Sequence, residues 1–115
     1  GILCNALVCL AVWLSFSARS TIDRIAAIIF PITAFVAAGF EHSIANMYFV
    51  PYALLVKMGD AEFMGRISDK IINLDRLTWG NFILFNLIPV TIGNIIGGAV
   101  LVAAIYWAIF LRKQG

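Results

Sequence analysis

A glutamate and a histidine, Glu41 and His42, stand side by side within a long apolar stretch. Residues 25–56 contain no other ionisable side chain except Tyr48 and Tyr52. A carboxylate and an imidazole are costly inside a membrane, and where they occur there they usually mark a path for a substrate or a proton. Because imidazole changes its charge near neutral pH, His42 is the leading candidate for a proton donor or for a hydrogen-bond donor to an anion. The alternative is a structural histidine that bonds across helices.

Glu41 is expected to have a different role. If both residues sit on regular backbone, its side chain points away from that of His42 and into the protein. A buried carboxylate needs a cation or hydrogen-bond donors around it. No basic residue is obviously placed beside Glu41, so we predict that a Lys or Arg from outside this sequence pairs with it. A structural role is favoured over direct contact with a substrate.

Three uncharged residues are candidates for supporting roles near the imidazole. Asn46 follows His42 by four positions, so both can lie on one helical face, and Asn5 lies in the first apolar segment. An asparagine can bind a small anion or orient an imidazole, and hydrogen bonding between helices is the alternative for each. Phe35 precedes His42 by seven positions, or two helical turns, where its ring could narrow a pore; ordinary packing is the alternative.

The composition places this chain in a membrane. Hydrophobic residues make up 63% of it and charged residues 12%, with a mean hydropathy of +0.99, whereas soluble domains average about 25% charged residues. The small net charge of +2 gives no sign of nucleic-acid binding. No Walker loop, metal-ligand spacing or Ser-His-Asp order is present, so we expect no metal, no other cofactor and no enzymatic activity. Cys4 and Cys9 are interpreted as small packing residues.

The apolar segments predict an all-α membrane fold with three transmembrane helices, over about residues 2–18, 25–57 and 82–111. A straight helix over the middle segment would be about 48 Å long, against a hydrocarbon core of about 30 Å. We therefore predict helices over 25–38 and 44–57, separated by a break near 38–43. Irregular backbone at membrane depth is tolerated where it lines a cavity, and the N-terminus of the second half-helix would attract anions.

The connections between these segments carry weaker signals. Before the middle segment, Thr21 is the expected N-cap. In the polar stretch 57–81, four apolar residues recur at helical spacing: Phe63, Ile67, Ile71 and Leu74. Their spacing predicts either a short amphipathic helix on the membrane surface or an ordinary loop.

Small residues in the third segment predict where helices meet. Gly93 and Gly97 form a GxxxG pattern, and Gly98 follows; this pattern lets a neighbouring helix approach closely. Lys and Arg are equally divided between the two sides of a three-helix arrangement, four on each. Because short loops report orientation best, we place the turn 19–24 and the C-terminal tail in the cytoplasm.

Three stretches of the sequence resemble the formate–nitrite transporter family. They are GILCNALVCLAVW (1–13), AGFEHSIANMYFVP (38–51) and NLIPVTIGNIIGG (86–98). The resemblance covers essentially the whole chain, which looks like the second half of that family's six-helix protomer. It implies that residues 1–115 form one inverted repeat of an aquaporin-like protomer, the C-terminal half of a transmembrane channel domain whose N-terminal half is missing here.

The resemblance also implies roles for individual residues. His42 matches the family's central pore histidine, and Glu41 matches its neighbouring glutamate. Asn5 and Asn46 match two asparagines that are associated with that histidine. Phe35 matches the aromatic constriction of the broken fifth helix. Two of the matching stretches look most like formate channels: SIANMYFVP and NLIPVTIGN.

From this resemblance we expect transport of formate, as the anion or its protonated acid, through a pore in each protomer. It implies a homopentamer in the bacterial inner membrane, with its C-terminus in the cytoplasm and with formate and the lipid bilayer as its partners. The alternatives are a nitrite or hydrosulfide channel of the same family, or a non-conducting structural subunit in which His42 only bridges helices.

Overall fold

The described part of this chain contains five helices that are connected by short turns. The computed structural model describes residues 1–70 and 73–112. The helices are α1 (Ile2–Ser17), α2 (Thr21–Ala37), α3 (Ser43–Gly59), α4 (Ala61–Ile67) and α5 (Trp79–Leu111). Two single 3-10 turns, Ser68–Lys70 and Leu74–Arg76, lie between α4 and α5. The predicted all-α class is confirmed.

The start of α2 corrects the expected cap. Ser20, not Thr21, is the N-cap: its hydroxyl accepts a hydrogen bond from Asp23 N, and the Asp23 carboxylate accepts one from Ser20 N. This reciprocal capping box satisfies two backbone donors that would otherwise lack partners. The helix therefore begins at Thr21, one position earlier than a cap at Thr21 implies, and its polar first turn precedes the apolar segment that starts at 25.

The end of α2 is determined by Gly39. Its φ of +65° lies in the left-handed region that glycine adopts at little cost. Gly39 N donates to Val36 O and Phe40 N donates to Phe35 O, both at 3.0 Å. This pair of bonds is a Schellman motif, which closes a helix C-terminus. The interruption between α2 and α3 thus occupies residues 38–42, where the sequence predicts a break near 38–43.

The longest helix is α5, with 33 residues, and it starts three positions before the predicted 82. Wider, π-type turns occur in three stretches of it: Phe82–Leu87, Ile96–Ala104 and Trp107–Leu111. Among the described helices, α5 is the one that is long and apolar enough by itself to cross a membrane. α1 has 16 residues, and α2 and α3 have 17 each, near the lower limit of about 17 for a span.

Glycines bring α1 and α5 into close contact. A Cβ added to Gly97 would overlap the backbone oxygen of Ile2, and one added to Gly98 would lie 2.6 Å from Asn5 Nδ2 and 3.3 Å from Cys9 Sγ. Only hydrogen fits at Gly97, whereas a Cβ at Gly98 would require the Asn5 side chain to shift. The predicted close approach of helices at these glycines is confirmed.

Cys4 and aromatic rings complete the packing of α1. Cys4 is fully buried, and both cysteines are free thiols. The Trp13 ring contacts those of Tyr106 and Phe110 edge-on, with centroids 5.2 and 5.8 Å apart. α1 also packs along α2. Large apolar side chains remain exposed elsewhere, among them Phe16, Ile22, Phe30 and Phe85, as expected for a chain whose surroundings are lipid or further protein.

The polar connection between α3 and α5 is less helical than the spacing of its apolar residues suggests. α4 ends at Ile67, and single turns follow it. Ile71, one of the four residues that defined the predicted amphipathic helix, lies outside the described residues. Phe63, Ile67 and Leu74 line a small apolar cavity of about 230 Å³ against α3. The side chains therefore face α3, and the connection folds over the end of that helix.

Lys57, near the end of α3, holds this connection in place by hydrogen bonds. Its Nζ donates hydrogen bonds of 2.9 Å to Leu74 O and to Leu77 O. A charged ammonium with two carbonyl acceptors forms charge-assisted bonds, which are stronger than neutral ones. The contact joins α3 to the segment that leads into α5.

Replacing Lys57 with methionine is expected to loosen the segment around 74–78. Methionine keeps the apolar stem but leaves both carbonyls without their donor. Each such bond contributes about 1.5–3 kcal/mol, so backbone amides there should exchange with deuterium at least tenfold faster, as measured by mass spectrometry. Lys70→Met is the matched control, since Lys70 is an exposed lysine of the same connection. Equal deuterium uptake in both variants would contradict the anchoring role.

Candidate functional site

His42 stands at the break, in the last position before α3. It is the N-cap of that helix, with extended backbone (φ −121°, ψ 123°), and its side chain is half-buried. The Phe35 ring, in the last turn of α2, lies 6.0 Å from the imidazole, with the two planes 30° apart. The Schellman turn at Gly39 ends α2 between them, and across this turn two residues seven positions apart are stacked neighbours.

Asn94 of α5 caps the start of α3 from across the structure. Its Oδ1 accepts hydrogen bonds of 2.9 Å from both Ser43 N and Ser43 Oγ. Asn94 and Ser43 are each 6% exposed. The first backbone N–H groups of a helix have no partner within the helix. Because His42 forms no side-chain cap, Asn94 supplies one from another helix.

The same amide also holds the residue before His42 and the start of α1. Asn94 Nδ2 donates to Glu41 O at 3.3 Å and to Gly1 O at 2.8 Å. With its two acceptor bonds, the side chain makes four hydrogen bonds, which is the full capacity of an amide. One side chain thus fixes the backbone on both sides of His42.

Asn5 reaches the same place from α1. Its Nδ2 donates to the backbone oxygen of Asn94 at 2.6 Å, and it lies against Gly98. This bond joins two helices, which is the alternative that the sequence leaves open for Asn5. Within residues 1–70 and 73–112, its amide bonds to α5 and not to the imidazole.

Asn46 connects the Glu41 carboxylate to α5. Its Nδ2 donates to Glu41 Oε2 and, at 2.8 Å, to Asn86 Oδ1. Its backbone N–H bonds to His42 O at 2.9 Å. The side chain of Asn46 therefore serves Glu41 in the part of the chain that the structure describes, and the expected orientation of the imidazole by Asn46 is not seen there. Glu41 is exposed in this chain, and its expected cationic partner stays a prediction.

The structure thus brings together some of the predicted residues in an unexpected arrangement. Phe35 lies against His42, although the helix ends between them, whereas Asn5 and Asn46 each bond elsewhere. Sequence reasoning missed Asn94 and Asn86 as members of the site. The sequence does contain a feature that indicates them. Both are amides in an uncharged apolar helix, where an unpaired polar group is costly, and Asn94 also stands next to Gly93.

The electrostatics at the break favour a negative charge near His42. The aligned peptide dipoles give the N-terminus of α3 a partial positive charge. Asn94 accepts a hydrogen bond from the Ser43 N–H, and Asn46 N donates to His42 O. The N–H groups of Ile44 and Ala45, which lie between these two, are therefore the remaining donors of the first turn. A small anion passing the imidazole would meet this positive end.

The whole chain matches known transport proteins. A family profile described as formate/nitrite transporter matches residues 1–108. The chain is 50% identical over 115 residues to the formate channel FocA of Escherichia coli strain K12, covering 99% of this chain and 40% of that protein. It is 46% identical over 110 residues to a probable formate transporter of Methanothermobacter thermautotrophicus, covering 96% of this chain and 34% of that protein.

A solved structure shares the fold of this chain. A pentameric formate channel with formate bound superposes with a TM-score of 0.81 at 48% sequence identity, over 96% of this chain and 44% of that one. The chain spans about 40% of the length of the E. coli formate channel that it matches. The predicted resemblance in family, and to formate channels within it, is confirmed.

Proposed function

This chain belongs to the formate/nitrite transporter family, and from that premise we propose that it forms part of a membrane pore that conducts formate. The observation that carries the proposal is the position of the His42 ring, at the break between α2 and α3 and 6.0 Å from the ring of Phe35. An aromatic side chain and the one histidine of the sequence meet where the backbone leaves its helix. Relatives named as formate channels support formate as the substrate.

The mechanism follows from the cost of moving a charge into an apolar passage. Taking a bare carboxylate out of water is expensive. The positive end of α3 lowers that cost, and the imidazole lowers it further by donating a hydrogen bond or a proton. Formate that accepts the proton crosses the apolar part as neutral formic acid and returns the proton on leaving. Phe35 narrows the passage beside His42, so the permeating molecule has to pass the ring.

The proposed assembly completes the pore with protein beyond these residues. The chain would form the C-terminal half of a six-helix protomer, as one of two inverted aquaporin-like repeats. Five protomers would each carry a pore, an arrangement supported by the pentameric relative. The protein would lie in the bacterial inner membrane with its C-terminus in the cytoplasm. Asn5, Asn46 and Glu41 would support the imidazole through the backbone and carboxylate contacts described above.

Nitrite is the second candidate substrate. It is also a small monovalent anion, and the matching family is described by both substrates. The same break, imidazole and positive helix end would serve it. Competition between the two anions in one flux assay separates the candidates: formate uptake that excess nitrite fails to reduce favours a formate pore.

Formate uptake into proteoliposomes tests the proposal. Vesicles holding the full-length protein that carries this chain should take up labelled formate faster than protein-free vesicles. The uptake should depend on pH, because the proposed relay moves a proton together with formate. His42→Phe keeps a ring but removes the proton carrier, so its pH profile should be flatter. Tyr52→Phe is the control, because it removes an exposed hydroxyl from the same helix. Identical profiles for His42→Phe and the unmodified protein would exclude the relay.

A further inference from the structure

Asn86 is an amide of α5 that reaches the site through the side chain of Asn46. It lies in the wide-turn stretch Phe82–Leu87 and is half-buried. Its Oδ1 accepts the 2.8 Å hydrogen bond from Asn46 Nδ2. The same Asn46 nitrogen donates to the Glu41 carboxylate. The three residues therefore form a chain of contacts that runs from α5 through α3 to the residue beside His42.

The orientation of the Asn46 amide matters for this chain of contacts. An amide presents donors on its nitrogen and an acceptor on its oxygen. Both contacts that Asn46 makes here require its nitrogen, since Glu41 Oε2 and Asn86 Oδ1 are acceptors. A reversed amide would place its oxygen against the carboxylate, which is repulsive. The carboxylate, which only accepts, therefore sets the orientation of the Asn46 amide, and Asn86 Oδ1 accepts the second bond in that orientation.

We infer that Asn86 is a positioning residue for the transport path: it holds the Asn46 amide as a donor to Glu41 and thereby fixes the carboxylate next to His42. The inference rests on the proposed function. Without Asn86, Asn46 loses one of its two acceptors, so its side chain is less constrained. Its charge-assisted bond to the carboxylate remains the stronger one, but the position of that bond next to His42 is less fixed.

The surroundings of Asn86 limit the size of the effect. Asn86 borders a groove of about 240 Å³ that is also lined by Val50, Asn81 and Arg76, where the connection enters α5. A variant that lacks the Asn86 oxygen allows water from this groove to accept from Asn46 in part. We therefore expect Asn86→Leu to reduce formate flux about fivefold, the scale of one hydrogen bond, rather than to abolish it.

A double-mutant cycle tests the inference in the full-length protein. Formate flux into proteoliposomes is measured for Asn86→Leu, Asn46→Leu and the double variant. If Asn86 acts through Asn46, adding Asn86→Leu to Asn46→Leu changes the flux no further, because the bond is already absent. Asn81→Leu is the matched control, since Asn81 is an asparagine of the same helix whose amide bonds to Arg76 O and not to Asn46. Its flux should stay within about twofold of the unmodified protein.

The outcomes separate this inference from the proposed function. Absence of formate flux in the unmodified protein removes the proposed function, and the positions of Asn46 and Glu41 in a structure of Asn86→Leu then test the contact directly. With flux present, two results overturn the inference: an Asn86→Leu variant with unchanged flux, or additive losses in the double variant. If Asn86 had only a structural role, Asn86→Leu would lower the formate flux by the same factor in the unmodified protein and in Asn46→Leu. It would also lower the unfolding temperature equally in both.

Discussion

Replacing Gly97 with leucine should prevent the protein from folding. Little or no folded protein should then be recovered from the membrane in mild detergent. Even a Cβ at this position would overlap the backbone oxygen of Ile2, and backbone cannot turn aside as a side chain can. Forcing extra atoms into a packed interior costs about 1–3 kcal/mol when neighbours can move. Here α1 would have to separate from α5, which would also break the bonds of Asn5 and Gly1 to Asn94. We therefore expect Gly97→Leu to lower the free energy of unfolding by more than this range.

Size-exclusion chromatography of fluorescently tagged protein in mild detergent measures this effect. Gly97→Leu should give little or no protein at the elution volume of the native assembly, and Gly97→Ala should lower the unfolding temperature. Gly80→Leu is the control on the same helix, because a Cβ there would meet no atom within 4 Å. A normal elution profile for Gly97→Leu would mean that α1 and α5 are not in contact at this glycine.

Asn94→Leu is the second substitution with a large expected effect, and it acts on transport. Leucine fills a similar space but removes four hydrogen bonds. Each buried group left without a partner costs about 1–3 kcal/mol. The backbone on both sides of His42 is then free to move, so formate flux should fall by at least about tenfold, the factor that corresponds to 1.4 kcal/mol.

Asn94→Asp separates the role of this side chain as a hydrogen-bond acceptor from its role as a donor. The carboxylate still accepts from Ser43 but cannot donate to Glu41 O or Gly1 O. We expect an intermediate flux between those of Asn94→Leu and the unmodified protein. Deuterium exchange at Ser43 and the residues that follow it should rise in Asn94→Leu and stay low in Asn94→Asp. Flux in Asn94→Leu that equals that of the unmodified protein would show that the cap does not position His42.

The interruption of the middle segment could be predicted because its cause is local. Residues 25–56 are too long for one straight crossing, and Gly39, the glycine that ends α2, stands two positions before Glu41. The contact of Phe35 with His42 depends on the turn at Gly39, since helical spacing alone would place the two rings two turns apart. The cap of α2 is predicted one residue too late, because Ser20 and Thr21 can both cap a helix and the reciprocal bonds of Ser20 with Asp23 decide between them.

The hydrogen bonds of the site could not be predicted from spacing along the chain. Asn94 lies 51 positions from Ser43 and 93 from Gly1, and the pairing depends on how α1, α3 and α5 pack. A shared helical face placed Asn46 near His42, but its amide bonds to Glu41 and Asn86 instead. Amides in an apolar helix indicate that partners exist; they do not indicate which partners.

The saturation of the Asn94 amide has a consequence for the permeating ion. Its four bonds, and the two that Asn46 donates, are spent within the protein. In the proposed pore, the donors left to replace the water that formate sheds are the imidazole and the N–H groups of Ile44 and Ala45. With so few donors, occupancy by formate should be brief and saturation should need high substrate concentrations, since conduction requires that a bound ion leave easily. The proposed pore would therefore favour throughput over tight binding.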